Sequence, residues 1–366
     1  MALAAKDVFD DRYVIEGLLG EGGMGAVFAA YDTRLRRRVA LKVLPTDSRE
    51  DAEAAERLVR EARAVATLDH PNVVAVFDVG RVESTPFIAM ELVEGRPLRA
   101  LIGCSEVTLA AKIRWITDVA RALSAAHDKH LVHRDIKPSN VLVRDDGVVK
   151  VVDFGVARRV KQEDASDDSA TITKEGAIVG THQYMAPEVL RGEPADERSD
   201  QFAWAVLAYE LVTGALPWRI GKTTPDVIAA ILLQPAAPLD DVAELPSEVE
   251  AAILRALSKT PAKRFASMRD VVLALEPHVS SRTSALPKEL VTSSRRVRGD
   301  ETLTKHTVSL PNVAPSRRRA WALAPLLIAG IAVALALREP APLLATRAIG
   351  EPQVVTVTDL PVPTVG

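Results

Sequence analysis

The chain has 366 residues, and its 46 Lys plus Arg against 49 Asp plus Glu leave a net charge of -3. That balance argues against a nucleic-acid binder, which would carry a basic excess. Apolar residues at 48% and charged residues at 26% exclude a mostly disordered chain, and a single cysteine, Cys104, excludes an internal disulfide scaffold.

Residues 1–12 read as a short leader, with charges among alanines and no signal-peptide apolar run. From Tyr13 short β-prone runs follow: YVIEGLL, AVFAAYD and RVALKVL. In the last, Val39, Leu41 and Val43 alternate with Ala40 and Lys42, which predicts a sheet with one apolar face and one carrying a lysine. Residues 49–68 read as a long helix. Leu58, Val65 and Leu68 form its stripe, and Glu61 stands in that stripe three residues after Leu58. A carboxylate there needs a buried partner, because an unpaired buried charge costs several kcal/mol, and Lys42 is an available cation. VVAVFDVG and PFIAMELVEG read as two further strands.

Beyond Gly95 the signal is mainly helical. Ile113, Ile116, Ala120, Leu123 and His127 recur at helical spacing. Phe202 to Val212 is apolar nearly all round, the mark of a buried helix, and Gly214 stops it. The architecture implied is a small sheet-rich lobe followed by a larger helical one. Globular texture ends near His278. Residues 279–319 carry nine Lys/Arg against three Asp/Glu and read as a flexible basic linker. Residues 320–337, AWALAPLLIAGIAVALAL, hold no charge and follow Arg317, Arg318 and Arg319. At about 1.5 Å per residue that segment reaches roughly 27 Å, which fits a transmembrane helix with its basic side in the cytoplasm. The last 29 residues, five of them proline, read as a short extracytoplasmic tail.

Five motifs carry the chemistry. Gly20-Glu21-Gly22-Gly23-Met24-Gly25-Ala26-Val27 lies between the first two strands, where glycines let the backbone approach a phosphate. Because it leads into a strand and not a helix, a dinucleotide-binding fold is disfavoured. Lys42 follows in VALK. His133-Arg134-Asp135-Ile136-Lys137-Pro138-Ser139-Asn140, Asp153-Phe154-Gly155 and Ala186-Pro187-Glu188 complete the series. Taken singly each has an ordinary reading: Lys42 as a solvated strand lysine, the glycines as a loop. His127, His130 and His133 have a spacing that suggests a metal, but zinc sites usually add cysteines. Cys104 reads as an unremarkable free thiol.

In this order and spacing the five motifs resemble the signature set of protein kinases over residues 13–278, and most closely the membrane-anchored, eukaryote-like (Hanks-type) Ser/Thr kinases of bacteria. The resemblance implies a bilobal α+β fold, with a β-rich N-lobe at 13–94 and an α-helical C-lobe at 95–278, plus the C-terminal membrane helix. It implies ATP and Mg²⁺ (or Mn²⁺) as cofactors, protein substrates, attachment to the inner membrane with the kinase in the cytoplasm, and a homodimer as a compatible partner state. Carried over by position, Gly20, Glu21, Gly22, Gly23, Met24 and Gly25 would cover the phosphates. Val27 and Ala40 would pack on adenine, and Glu91 to Val93 would form the hinge after the gatekeeper Met90. Lys42, paired with Glu61, would hold the α and β phosphates. Asp135 would accept the substrate hydroxyl proton, Lys137 would face the γ-phosphate, and Asn140 and Asp153 would hold the metal. Glu188 would pair with Arg264, and Asp200 would anchor the catalytic-loop backbone. Thr171 and Thr173 resemble autophosphorylated threonines whose phosphate would pair with Arg134. Thr181 resembles the family threonine that contacts the catalytic loop. The rival readings are a pseudokinase scaffold, a small-molecule phosphotransferase of the same fold and a ligand-sensing receptor. The first would normally lack Lys42, Asp135 or Asp153. The second tends to lack Ala-Pro-Glu and the long segment before it. The third needs a folded exterior domain.

Overall fold

The computed structural model describes residues 3–22, 25–44, 59–83, 85–154, 182–219, 221, 223–240 and 242–279. All lie in the first of two units into which the chain divides, Met1–Thr302 and Leu303–Gly366. The linker, the 320–337 segment, the tail, Thr171, Thr173 and Thr181 fall outside the described residues. Among those described, no helix is long and apolar enough to cross a membrane.

The alternating runs form an antiparallel six-stranded sheet: β1 (Val8–Phe9), β2 (Tyr13–Gly22), β3 (Gly25–Asp32), β4 (Arg37–Val43), β5 (Val76–Val82) and β6 (Thr85–Glu91), in the order β1-β2-β3-β4-β6-β5. One face buries Val39 and Leu41 with Ile15, Phe28, Ala30, Phe87 and Ala89. Two expectations change here. Residues 1–12 are not a detached leader: Val8 and Phe9 pair with Val14 and Tyr13, and the Phe9 ring meets Phe87 edge-on at 5.4 Å. Arg12 is tied down as well, its guanidinium forking Asp32 at 3.0 and 2.8 Å and pairing with Asp78. The second change concerns only the single-motif reading of Lys42 as a solvated strand lysine, which its burial sets aside. Ala40 and Lys42 are buried, because Ala62 of helix α1 (59–66) packs with Val74, Ile88 and Met90 beside Ala40.

A second, three-stranded sheet of β7 (Gly95–Pro97), β8 (Val141–Arg144) and β9 (Val149–Val151) begins the helical lobe. Asn72 joins it to the segment before β5, accepting from Val151 N at 2.8 Å and donating to Val149 O at 3.0 Å. Helix α2 (Leu109–His127) buries the stripe of Ile113, Ile116, Ala120, Leu123 and His127, and Thr108 caps it by accepting from Ala111 N. After α3 (Pro187–Leu190), α4 (Glu197–Thr213) starts at a capping box of Asp196 and Ser199. It buries every side chain from Ser199 to Val212 and ends at Gly214, whose φ of +80° suits glycine. Helices α5 (Thr224–Leu233), α6 (Ser247–Ala256) and α7 (Met268–Leu275) complete the lobe.

One ion pair fastens α3 to the end of this lobe. Arg264 grips Glu188 with two parallel bonds of 2.7 and 2.8 Å. It also donates to Ser258 O at 2.9 Å and Arg198 O at 2.7 Å, while Ser199 Oγ donates to Glu188 at 3.0 Å. Both partners are nearly solvent-free, so the fork geometry and the extra bonds are what offset desolvation. Burial pushes the Glu188 carboxyl up, but the hydrogen bonds and charge of Arg264 outweigh it and hold it below its ordinary 4.5. A carboxylate lowered in the folded state contributes stability above its unfolded pKa, and that contribution is lost as pH falls through the folded value. Glu188→Gln should therefore cost about 3 kcal/mol at neutral pH, as expected for stranding a buried partner. Urea denaturation at descending pH checks this: the gap to wild type should narrow below pH 4.5.

Candidate active site

The site lies where the two sheets meet. β2 and β3 form a hairpin with Gly22 opposite Gly25. A Cβ on Gly25, at φ +109°, would sit 2.2 Å from Val43 O, so that position admits only glycine. Cβ atoms on Gly20 and Gly22 would meet nothing within 4 Å, so these two keep main chain open above the cleft. Glu21 pairs with Ala26 in the same hairpin, while Gly23 and Met24 fall outside the described residues. Beneath it, Val27, Ala40, Met90, Leu92 and Val93 belong to one apolar cluster with Val152. That supplies an apolar slot ending at the 92–94 connection to β7. Glu91 borders the slot, its side chain taken by Lys150 Nζ at 2.8 Å.

Lys42 reaches across the cleft to Asp153, Nζ to Oδ1 at 2.8 Å. This replaces the expected Lys42–Glu61 pair. Glu61, partly buried on α1, has an interaction of its own. Lys42 on β4 and Asp153, two residues after β9, thus meet at one edge of the cleft.

The loop between α2 and β8 gathers the remaining groups. Lys137 Nζ lies 2.7 Å from Asp135 Oδ2. Asn140 Nδ2 donates to Asp135 O at 2.8 Å and to Asp135 Oδ2 at 2.9 Å. With its nitrogen committed to Asp135, Asn140 keeps its amide oxygen as an acceptor, and Asp153 stands on the neighbouring segment. Two oxygen donors suit a hard divalent cation that keeps waters and phosphate oxygens as its other ligands. The donor set therefore fits a magnesium-type ion.

What holds the loop comes from α4. The Asp200 carboxylate accepts from His133 N at 2.7 Å, Arg134 N at 2.7 Å and His127 Nε2 at 2.9 Å. Arg134 has φ +64° and Asp153 φ +57°, conformations that non-glycine residues rarely adopt and that surrounding bonds must enforce. His133 links the two. Its Nδ1 accepts from Asp135 N at 3.3 Å, its Nε2 faces Val152 O at 3.1 Å, and its ring packs on Phe154 at 4.5 Å. Burial, the dominant effect, lowers its pKa in spite of nearby Asp200. A neutral imidazole with hydrogen on Nε2 satisfies both bonds.

The structure thus gathers Lys42, Asp135, Lys137, Asn140 and Asp153, with the glycine hairpin and apolar slot above them. It places Glu188 and Arg264 apart from this group as a fastener. The tertiary partners of His127, His133 and Ser199 were not foreseen from sequence. Neither was a cluster of Arg99, Tyr184 and Glu210, joined by mutual hydrogen bonds next to the loop. Tyr184 lines a small cavity together with Arg134 and Asp135. A buried Glu on an apolar helix was the signal available for Glu210.

Residues 13–273 match the protein kinase domain model. The chain belongs to the protein kinase family. It is 40% identical over 281 residues to the probable serine/threonine-protein kinase PknB of Corynebacterium glutamicum, covering 73% of this chain and 42% of that protein. It is also 40% identical over 310 residues to serine/threonine-protein kinase PksC of Streptomyces coelicolor, covering 81% and 54%. The chain thus spans about half the length of these curated relatives. Among solved structures, the PknI kinase domain of Mycobacterium tuberculosis matches 76% of the chain and 99% of that domain, with TM-score 0.57 and 29% identity.

In this kinase fold the Asp200 anchor is open to a direct test. Asp200→Asn replaces one acceptor oxygen with a donor and strands at least one loop amide, at about 1–3 kcal/mol. Hydrogen exchange should show the His133 and Arg134 amides losing protection while amides of β3 and β4 keep theirs.

Proposed function

We propose that the chain is a Ser/Thr protein kinase, transferring the γ-phosphoryl group of ATP to serine or threonine hydroxyls of proteins. The observation that carries the reading is the convergence of Lys42, Asp135, Lys137, Asn140 and Asp153 on one cleft edge. Bound ATP supplies the phosphoryl group, and Mg²⁺ or Mn²⁺ neutralises phosphate charge. The Asp135 carboxylate, oriented by Asn140 and Lys137, accepts the proton of the substrate hydroxyl. Lys42 would hold the phosphates in place of Asp153, and Asn140 and Asp153 would hold the cation. Gly20, Glu21, Gly22, Gly23, Met24 and Gly25 would cover the phosphates, Val27 and Ala40 would pack on the adenine, and Glu91 to Val93 would hydrogen-bond its edge. Phosphoryl transfer is chiefly positioning and charge neutralisation, which is what this set of charges provides.

The finer reading extends to regulation and place. Autophosphorylation of Thr171 and Thr173 adds charge that Arg134 pairs with. The 320–337 segment anchors the protein in the inner membrane, the arginine triplet keeps the kinase cytoplasmic, and a homodimer is compatible with this reading. With Lys42, Asp135 and Asp153 all present, a pseudokinase scaffold is the weaker alternative.

Lys42→Met and Asp135→Asn should each lower turnover by about a thousandfold or more, equivalent to roughly 4 kcal/mol of transition-state stabilisation. The assay is phosphate incorporation from Mg·ATP, with phosphosites mapped by mass spectrometry. Near-normal turnover in either variant overturns the assigned roles.

A further inference from the structure

Residues 91–94 carry the chain from β6 to β7. They line an open groove of about 440 Å³ and are half-buried or exposed, so packing alone does not fix them. Two ion pairs along this groove, Arg38–Glu94 and Arg144–Asp146, are exposed and contribute little. The pair of Lys150 with Glu91 differs, since these side chains are only 11% and 23% exposed.

Lys150 is the middle residue of β9. Val149 and Val151 are buried on one face, so the lysine emerges on the other. Its Nζ donates to Glu91 Oε2 at 2.8 Å and to Val73 O at 3.3 Å. The same Oε2 accepts from Ala75 N at 3.3 Å, and Glu91 N donates to Ala75 O at 2.8 Å. The 72–75 segment is in turn bound to β9, by Val151 N to Asn72 O at 2.8 Å and Val74 N to Val151 O at 3.0 Å. Lys150 thus ties together the end of β6, the 73–75 segment and the strand that leads to Asp153. A shielded ion pair is a weak device for stability, because desolvation offsets the attraction. What this one supplies is geometry.

We infer that Lys150 is a positioning residue for the nucleotide. By holding the Glu91 side chain, it fixes the main chain of residues 91–93, the edge assigned to adenine. It fixes that edge relative to Asp153, three residues further along the chain. Lys150 touches neither nucleotide nor substrate; it acts through Glu91. The inference rests on the kinase reading above and deepens it, because the side chain of Glu91 then serves the adenine site as well as its main chain. Asp135, Lys137 and Asn140 are held by their own mutual bonds and by Asp200, so loss of the Lys150 cation should leave them in place. The effect belongs to nucleotide binding and not to the transfer step.

The test uses the full chain with Lys150→Met, which keeps most of the aliphatic stem and removes the charge, the milder Glu91→Gln, and the double variant. Calorimetric binding of Mg·ATP is measured beside steady-state phosphorylation of a generic protein substrate. Lys150→Met should weaken Mg·ATP binding and raise KM for ATP about fivefold, while kcat and KM for the protein stay within about twofold. Glu91→Gln should shift both in the same direction. The double variant should cost less than the two single effects combined, because they remove one shared contact. Unchanged Mg·ATP affinity in Lys150→Met overturns the proposal. So does a fall in kcat and melting temperature with KM for ATP unchanged, which marks a merely structural pair, and so do fully additive single effects. If the wild-type chain itself binds no Mg·ATP, the kinase reading falls together with this one. If wild type binds and turns over ATP, failure of the variants to differ from it overturns only the role of Lys150.

Discussion

The carboxylate of Asp200 sits on the most buried helix among the described residues and takes hydrogen bonds from His127 and from the amides of His133 and Arg134. Everything that makes the cleft chemically useful follows from where this group fixes the loop. Arg134 is held in a left-handed conformation that its side chain disfavours. With that turn enforced, Asp135 faces Lys137 and Asn140, not solvent. A charged acceptor in a low-dielectric interior makes strong bonds to backbone N–H groups, which is how one residue of α4 can impose geometry on a loop some 65 positions earlier.

His133 extends that control to the next segment. Its ring bonds to Asp135 N and faces Val152 O while packing on Phe154, so the segments bearing Asp135 and Asp153 share a single buried spacer. A neutral histidine serves here because each ring nitrogen has a defined job, and burial keeps it neutral. The Lys42–Asp153 ion pair then joins the small lobe to this framework. In this arrangement the ammonium is already in the cleft, and on the proposed reading only its partner would change when phosphates bind. Glu188 and Arg264 play a different part. They fasten α3 to the far end of the helical lobe through a pair so enclosed that its value depends on every lone pair being used.

Much of the fold is legible in residue order. The alternation of Val39, Leu41 and Val43 marks β4, the spacing of Ile113, Ile116, Ala120 and Leu123 marks α2, and the all-round apolar run marks α4 and its burial. These are local patterns, and local geometry alone generates them. Four of the five motifs also name groups of the cleft, because glycine freedom, a lysine and carboxamide or carboxylate oxygens are what phosphate chemistry calls for. The leader was misread because a two-residue strand leaves no periodicity. The pairing of Val8 and Phe9 with Val14 and Tyr13, the aromatic packing of Phe9 and the forked Arg12–Asp32 bond, formed across twenty residues, draw it into the sheet.

Sequence by itself therefore determined the order of the elements, which faces are apolar, and which residue types are available to handle a phosphate and a hard cation. Tertiary structure alone decided which charges meet. Lys42 had two candidate carboxylates, Glu61 and Asp153, and nothing in their spacing ranks them. The choice depends on how β4, α1 and the end of β9 pack, and a few ångströms there decide which charge is nearer. Periodicity is set by local backbone geometry, whereas ion pairing is set by distances between segments far apart in the chain, and only the packed fold fixes those.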